Sequence, residues 1–272
     1  LALEGGGAKG AYQIGAWKAL REAGIRFSAV SGTSVGALNG AMIVMDDLEK
    51  AENVWNNIHF SQVMDVDDEE MRRLMNRDIP LSELKSTLRS VADIVRNRGF
   101  DVTPLRNWVA EVVDADKICH SDTDFFIVTY SLSDHQELEL KASDLDKDEL
   151  CDMLLASAYL PAFRLEKLGG KYYTDGGVQD VVPIHALVEN GCKAVVMEVS
   201  SQGLMLDRVA GVDFDYGIFT NLSKDHIGPN EHASFEEYRD WKAKLFTLCK
   251  TGIFNVDDAN AAYMMELSLI HI

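Results

Sequence analysis

The chain opens on a regular exchange of apolar runs and polar breaks. Leu1–Leu3 is apolar and stops at a Gly-rich stretch, which predicts a buried strand running into a tight turn. Ile14, Trp17 and Leu20 then recur at helical spacing, the mark of a helix with one apolar face. Phe27–Val30 reads as a second short strand. Val35–Met45 is apolar almost throughout, which predicts a helix buried on most sides. Residues 46–100 change character. Asp65-Val66-Asp67-Asp68-Glu69-Glu70 and Arg72-Arg73 make a charged, helical insertion, read either as a solvated face or as a cap over a site. Thr103-Pro104 supplies a helix start, a capping residue followed by Pro at the first helical position. Phe125–Tyr130 and Glu137–Leu140 read as strands paired around a turn at Ser133-Asp134. Asp148–Tyr159 reads as a helix ended by Pro161, Lys171–Thr174 as a strand, and Ile184–Asn190 as a helix stopped by Gly191. Ala194–Val199 reads as another buried strand. The alternation predicts an α/β fold of three layers, a mostly parallel sheet covered by helices.

Composition narrows the picture. The 272 residues suffice for one large α/β domain, or one domain plus a fragment, and 47% apolar content can fill a core. A net charge of −18 argues against nucleic acid as a partner, because phosphate binding needs a basic face. It also disfavours tight docking on anionic membranes, while leaving room for transient membrane-surface contact through a local basic or apolar patch. Cys119, Cys151, Cys192 and Cys249 are far apart and form no C-x-x-C pair. They read as small buried side chains in a reducing cytoplasm. No apolar run reaches the roughly 18 residues of a membrane helix. The start, with neither Met nor signal peptide, leads us to expect a sequence cut from a longer protein.

Three motifs carry chemistry. Gly32-Thr33-Ser34-Val35-Gly36 is G-x-S-x-G between a strand and a helix, the context of a nucleophile elbow. The turn is tight, so small residues must flank the serine for its Oγ to stand exposed, and the following helix places its amides near developing negative charge. Gly5-Gly6-Gly7-Ala8-Lys9-Gly10 follows the first strand. Its glycines let backbone N–H groups converge on one point, as an oxyanion hole requires. The same run fits the dinucleotide fingerprint, but Phe27-Ser28-Ala29-Val30-Ser31 lacks the acid that a ribose needs. Asp175-Gly176-Gly177 closes a strand and can aim a carboxylate into the cleft of Ser34, although Asp-Gly is also an ordinary turn. The seven histidines, His59, His120, His135, His185, His226, His232 and His271, lie in segments that mark none of them as a base.

These motifs in this order, with Ala156-Ser157-Ala158-Tyr159-Leu160-Pro161-Ala162-Phe163 just before the last, resemble the patatin-like phospholipase family over Leu1 to about Lys193. The resemblance implies a patatin-like fold and a serine lipid acyl hydrolase. It implies a Ser–Asp dyad, with Ser34 as nucleophile and Asp175 as its base, no histidine, no cofactor and no metal. It makes the amides of Gly5, Gly6 and Gly7 the oxyanion hole, with Gly10, Gly32, Gly36, Gly176 and Gly177 as motif glycines. A lipid or ester substrate follows.

After about Ala194 the resemblance changes. Met197-Glu198-Val199-Ser200-Ser201-Gln202-Gly203-Leu204, Gly217–His226, Tyr238–Lys242 and Asn255–Asp258 are similar to the central domain of Mur ligases, in the UDP-N-acetylmuramoyl-tripeptide synthetase branch. That resemblance implies magnesium at Glu198 and His226, a carbamylated Lys242 and a nucleotide near Asn255. Yet the chain holds no Gly-rich loop ending in Gly-Lys-Thr or Gly-Lys-Ser, so ATP would lose its main contacts. The expected domains are therefore an acyl hydrolase at 1–193, a Mur-ligase-like fragment at 194–266 and a non-native tail at 267–272, joined as in a chimeric or misassembled sequence. The polar stretch Ser223–Asp240 is expected to stay exposed. A lipid acyl hydrolase, a non-catalytic nucleotide- or lipid-binding relic and an incomplete Mur ligase fragment are the three readings. Intact Ser34 and Asp175 favour the first, and the absent phosphate loop counts against the third.

Overall fold

The computed structural model describes residues 1–75, 99–224, 227–228 and 231–268. The chain divides into two compact units, Leu1–Met197 and Glu198–Ile272.

The first unit is built on one sheet of β1 (Ala2–Leu3), β2 (Ala29–Thr33), β3 (Asp124–Ser131), β4 (Gln136–Lys141) and β5 (Tyr173–Asp175). β1, β2 and β3 run parallel, and β4 and β5 pair antiparallel with β3. Side chains alternate between the two faces of each strand. Leu3, Val30, Phe125 and Ile127 point to one face, where they meet Ala37, Ala41 and Met42 of helix α2 (Val35–Val44) and Leu150 and Leu154 of the helix Lys147–Ser157. Ala2, Ala29 and Phe126 point to the other, against Val182 and against Ala186 and Leu187 of the helix His185–Glu189. Helices on both faces make the three-layer α/β fold, and each large core side chain contributes about 1.5–3 kcal/mol by burial. All ten residues of α2 are buried, as its unbroken apolar run requires. Helix α1 (Ala11–Glu22) buries Ile14 and Trp17 and leaves its far side to solvent.

The strand boundaries differ from the sequence expectation, for physical reasons. β2 runs to Thr33 and not Val30, because β1 and β3 flank it on both edges and bury even Ser31 and Thr33 completely. β5 begins at Tyr173, since Lys171 is drawn into a local bridge with Leu168. Ala194–Val199 is not a buried strand. It makes a single parallel bridge, Met197 to Ala2, with the Ala2 N–H donating to the Val196 carbonyl at 2.8 Å, and Val196 is 48% exposed. β1 is two residues long, so it can order only one rung beside it. Of the charged stretch 46–100, the helices Leu48–Asn57 and Asp68–Met75 are seen, the first capped by Asp47. The rest of the expected cap, 76–98, lies outside the described residues.

The second unit contains β6 (Phe214–Phe219) and β7 (Cys249–Phe254), a parallel pair connected through the helices Phe235–Ala243 and Leu245–Leu248. Its core gathers Phe219, Leu222, Tyr238, Phe246, Phe254 and Met264, with the Phe246 and Phe254 rings 4.5 Å apart. The described residues of Ser223–Asp240 are less exposed than their polarity suggests. His232 is fully buried, with Nε2 2.9 Å from Ser201 Oγ and its ring against Tyr238.

Candidate active site

The sheet register creates the site. Thr129, Tyr130 and Ser131 pair with β4 on one edge of β3 and with β5 on the other. That second edge belongs to β2 as far as Val128, which pairs with Thr33. β2 therefore runs along β3 in one direction, β5 runs along the same edge in the opposite direction, and the two meet head to head at Val128 and Thr129. Ser34 is the first residue past β2, and Asp175 is the last residue of β5. Residues 141 positions apart are thus brought together, and the Ser34 hydroxyl donates to Asp175 Oδ2 at 2.5 Å.

The elbow is strained where the sequence places it. Ser34 has φ 57° and ψ −128°, a conformation that costs a non-glycine residue about 1–3 kcal/mol. The residues two positions to either side of it must be glycine because backbone closes in on them. A Cβ on Gly32 would run into the Gly36 carbonyl, and one on Gly36 into the Leu3 carbonyl. α2 starts at once, with the amides of Ala37 and Leu38 bonding the Ser34 carbonyl. The Ser34 N–H donates to Ser157 Oγ at 2.9 Å, and the Ser157 hydroxyl donates to the Val128 carbonyl at 2.6 Å. Sequence reasoning assigned Ser157 no role. Its signal was a lone hydroxyl closing the apolar run Met153–Ala156.

Asp175 is 7% exposed. Its Oδ1 accepts the Gly177 N–H at 2.8 Å, and its own N–H donates to the Tyr159 carbonyl at 2.8 Å. A Cβ on Gly176 would lie 2.5 Å from the Val128 carbonyl oxygen, so this turn also needs glycine. Burial pushes the Asp175 carboxyl up, against the lowering effect of the bonds from Ser34 and Gly177. The result is a carboxylate held in one place and more basic than an exposed one.

The glycine run lies against this pair. An ideal Cβ on Gly5 would sit 3.1 Å from Ser34 Cβ. The Gly5 N–H, expected to face an oxyanion, instead donates to the Val181 carbonyl at 3.1 Å. The Lys9 N–H donates back to the Gly6 carbonyl at 3.3 Å, in the helical turn Gly7–Gly10. The run is fixed from behind by buried polar groups. Gln13 Nε2 donates to the Glu4 carbonyl at 2.7 Å. Asn39 Nδ2 donates to the Gly10 carbonyl at 2.9 Å and to Gln13 Oε1 at 2.8 Å, and Trp55 Nε1 donates to Asn39 Oδ1 at 2.9 Å. Gly10 is packed so closely that a Cβ there would meet Val35 at 2.6 Å. Asn39, a polar residue inside an apolar helix, was legible as an anomaly and went unread.

Among the described residues no histidine hydrogen-bonds to Ser34 or Asp175. His185 is held by Glu139 at 3.0 Å and Glu189 at 3.5 Å. His226 and His271 lie outside the described residues. In the second unit, Lys242 sits with its ammonium 5.8 Å from the Tyr238 ring, and Asn255 Nδ2 donates to the Thr220 carbonyl at 2.8 Å. Glu198 joins no group of three or more His, Cys, Asp or Glu side chains close enough to share an ion, among the described residues.

Comparison with known proteins yields two family matches. The model of the patatin-like phospholipases matches residues 1–188, and that of the Mur ligase middle domain matches residues 164–269. A UDP-N-acetylmuramoyl-L-alanyl-D-glutamate–2,6-diaminopimelate ligase of Caldanaerobacter subterraneus is 48% identical over 83 residues, covering 30% of this chain and 17% of that protein. A UDP-N-acetylmuramyl-tripeptide synthetase of Latilactobacillus sakei is 47% identical over 73 residues, covering 27% and 14%. The chain thus spans about a sixth of the length of these curated relatives. Among solved structures, VipD from Legionella pneumophila aligns with 65% of this chain and 45% of its own, at 16% identity and a TM-score of 0.42.

Proposed function

The chain belongs to the patatin-like phospholipase family, and on that premise we propose that it hydrolyses the carboxylic esters of lipids through Ser34 and Asp175. Asp175 Oδ2 takes the proton of the Ser34 hydroxyl as Oγ attacks the ester carbonyl carbon. The carbonyl oxygen becomes an oxyanion held by the Gly6 and Gly7 amides. Collapse breaks the ester C–O bond, and the alcohol leaves with the proton held by Asp175. Water then gives a proton to Asp175 as its oxygen attacks the acyl carbon, the bond from that carbon to Ser34 Oγ breaks, and Oγ takes the proton back from Asp175 as the fatty acid leaves.

The observation that carries this reading is the 2.5 Å contact between Ser34 Oγ and Asp175 Oδ2, made at abutting strand ends. Catalysis is assigned to Leu1–Met197 alone. The second unit matches the Mur ligase middle domain, but the chain carries no Gly-Lys-Thr or Gly-Lys-Ser loop to hold nucleotide phosphates. The test is hydrolysis of p-nitrophenyl butyrate by the full chain. Ser34→Ala should lower kcat by about 10³-fold or more with thermal unfolding unchanged, and His185→Ala should stay within a few-fold. A Ser34→Ala variant that keeps the wild-type rate would end the proposal.

A further inference from the structure

The Ser157 hydroxyl occupies a rung of the sheet. The Asp124 N–H donates to the Ser28 carbonyl, and the register carries on through Gly32 with Ile127 and Thr33 with Val128. In a parallel ladder alternate residues of one strand bond across to the same neighbour. Counting forward from Ser28, the next such bond is from the Ser34 N–H to the Val128 carbonyl. The structure puts the Ser157 hydroxyl into that bond, accepting from Ser34 at 2.9 Å and donating to Val128 at 2.6 Å. β2 cannot continue straight past this point, and the chain turns out at Ser34 with φ 57°.

Ser157 is fully buried and ends the helix Lys147–Ser157. Two residues later the Tyr159 carbonyl accepts the Asp175 N–H at 2.8 Å. One three-residue segment therefore holds both sides of the strand junction, Ser34 through Ser157 and Asp175 through Tyr159. The Tyr159 hydroxyl anchors the segment in turn, donating to the Arg164 carbonyl at 2.6 Å and accepting the Glu166 N–H at 3.1 Å.

We propose that Ser157 is a positioning residue for the reaction, a hydroxyl spacer that keeps the Ser34 amide off the Val128 carbonyl and so sets the serine Oγ on Asp175. The inference rests on the ester hydrolysis proposed above. Without the hydroxyl, the Ser34 amide closes on Val128 or takes up water, and the elbow moves by a fraction of a hydroxyl's width. Misplacement on the scale of 1 Å costs about 10²-fold in rate.

The experiment uses the full chain, a fluorophosphonate probe that labels activated serines, and p-nitrophenyl butyrate. For Ser157→Ala we expect labelling at undiminished final stoichiometry but about 10- to 100-fold more slowly, with kcat down by the same factor and KM unchanged. A merely structural role would lower the labelled fraction and leave the rate constant per site intact, and that outcome overturns the inference. If Ser157→Ala does not fold, Ser157→Cys keeps the volume with a weak donor and acceptor and carries the same expectation. Wild-type labelling that Ser34→Ala does not remove counts against ester hydrolysis itself. Normal wild-type labelling with a folded, unslowed Ser157 variant counts against Ser157 alone.

Discussion

The patatin-like match falls within the first unit and most of the Mur ligase match within the second, and the two units are built very differently. Leu1–Met197 has a five-stranded sheet with apolar clusters on both faces, and its strands abut at a point where a serine and a carboxylate meet. Glu198–Ile272 has a parallel pair, β6 and β7, with one cluster among the described residues. Parallel strands are ordinarily covered on both faces, yet β6 leaves Tyr216 62% and Ile218 59% exposed. A motif residue becomes a site only when the elements beside it bring its partners to it. Asp175 gained its partner because β5 pairs with the edge of β3 that β2 vacates, whereas β6 and β7 pair in parallel from Phe214 with Cys249 to Phe219 with Phe254.

The largest effect that can break this contrast is at Asp175. Asp175→Asn should lower kcat by about 10³-fold or more, since the amide cannot take the Ser34 proton. The wild-type profile of kcat/KM should have an acid limb above the ordinary Asp value of about 3.9, because burial raises this carboxyl. The sign of the stability effect is opposite to that of a paired carboxylate. The folded chain keeps the Asp175 proton to higher pH than the unfolded chain, so ionisation subtracts stability as pH rises through the raised value. Asp175→Asn should therefore melt higher than wild type at neutral pH, and the gain should vanish in acid. Thermal melts at several pH values, beside ester hydrolysis, check both signs. A variant less stable at pH 7 than at pH 4, relative to wild type, would contradict the burial argument.

Two glycines sharpen the same point on stability. Gly36→Ala places a Cβ against the Leu3 carbonyl, and such overpacking costs about 1–3 kcal/mol. Gly15→Ala in exposed α1 meets nothing within 4 Å and should stabilise by about 1 kcal/mol through helix propensity. Urea unfolding of the two variants should move in opposite directions. Equal shifts would mean that the glycines of the elbow are turn residues only.

Much of the first unit was legible because its chemistry sits at strand ends marked by glycine. The elbow at Ser34 and the β3–β4 pairing follow from local pattern, while Asp175 is singled out by the family resemblance, since Asp-Gly alone is an ordinary turn. Other features depend on neighbours that no local pattern names. β2 continues past Val30 through the polar Ser31 and Thr33, and only the strands on both sides explain their burial. Gly5 resembles Gly6 and Gly7 in sequence, and it is Val181, far along the chain, that takes its amide. Ser157 answers to a backbone group 123 positions away. Ala194–Val199 is apolar enough for a buried strand, but an apolar run cannot tell that the strand beside it is two residues long.

The smallest effect concerns where the first unit ends, at Lys193 as the change of resemblance suggests or at Met197 as the contacts divide. Ser34, Asp175, Ser157, Tyr159, Val128, Gly177 and Val181 all precede both positions, so hydrolysis by residues 1–197 should stay within about twofold of the full chain. Glu198→Gln and Lys242→Ala should be equally silent on the ester. The two cuts differ at β1. Ala2 is 1% exposed, and its N–H donates to the Val196 carbonyl, a bond that residues 1–197 keep and residues 1–193 lose. A single backbone bond of this kind is worth about 0.5–1.5 kcal/mol net, with a further cost if the donor stays buried and unpaired. Residues 1–193 should therefore unfold at lower urea than residues 1–197 while hydrolysing the ester at the same rate below the transition. Equal midpoints would place the boundary at Lys193. A 1–197 chain that unfolds while the full chain is active would show that the second unit stabilises the first, and the separation drawn here between the two would fail.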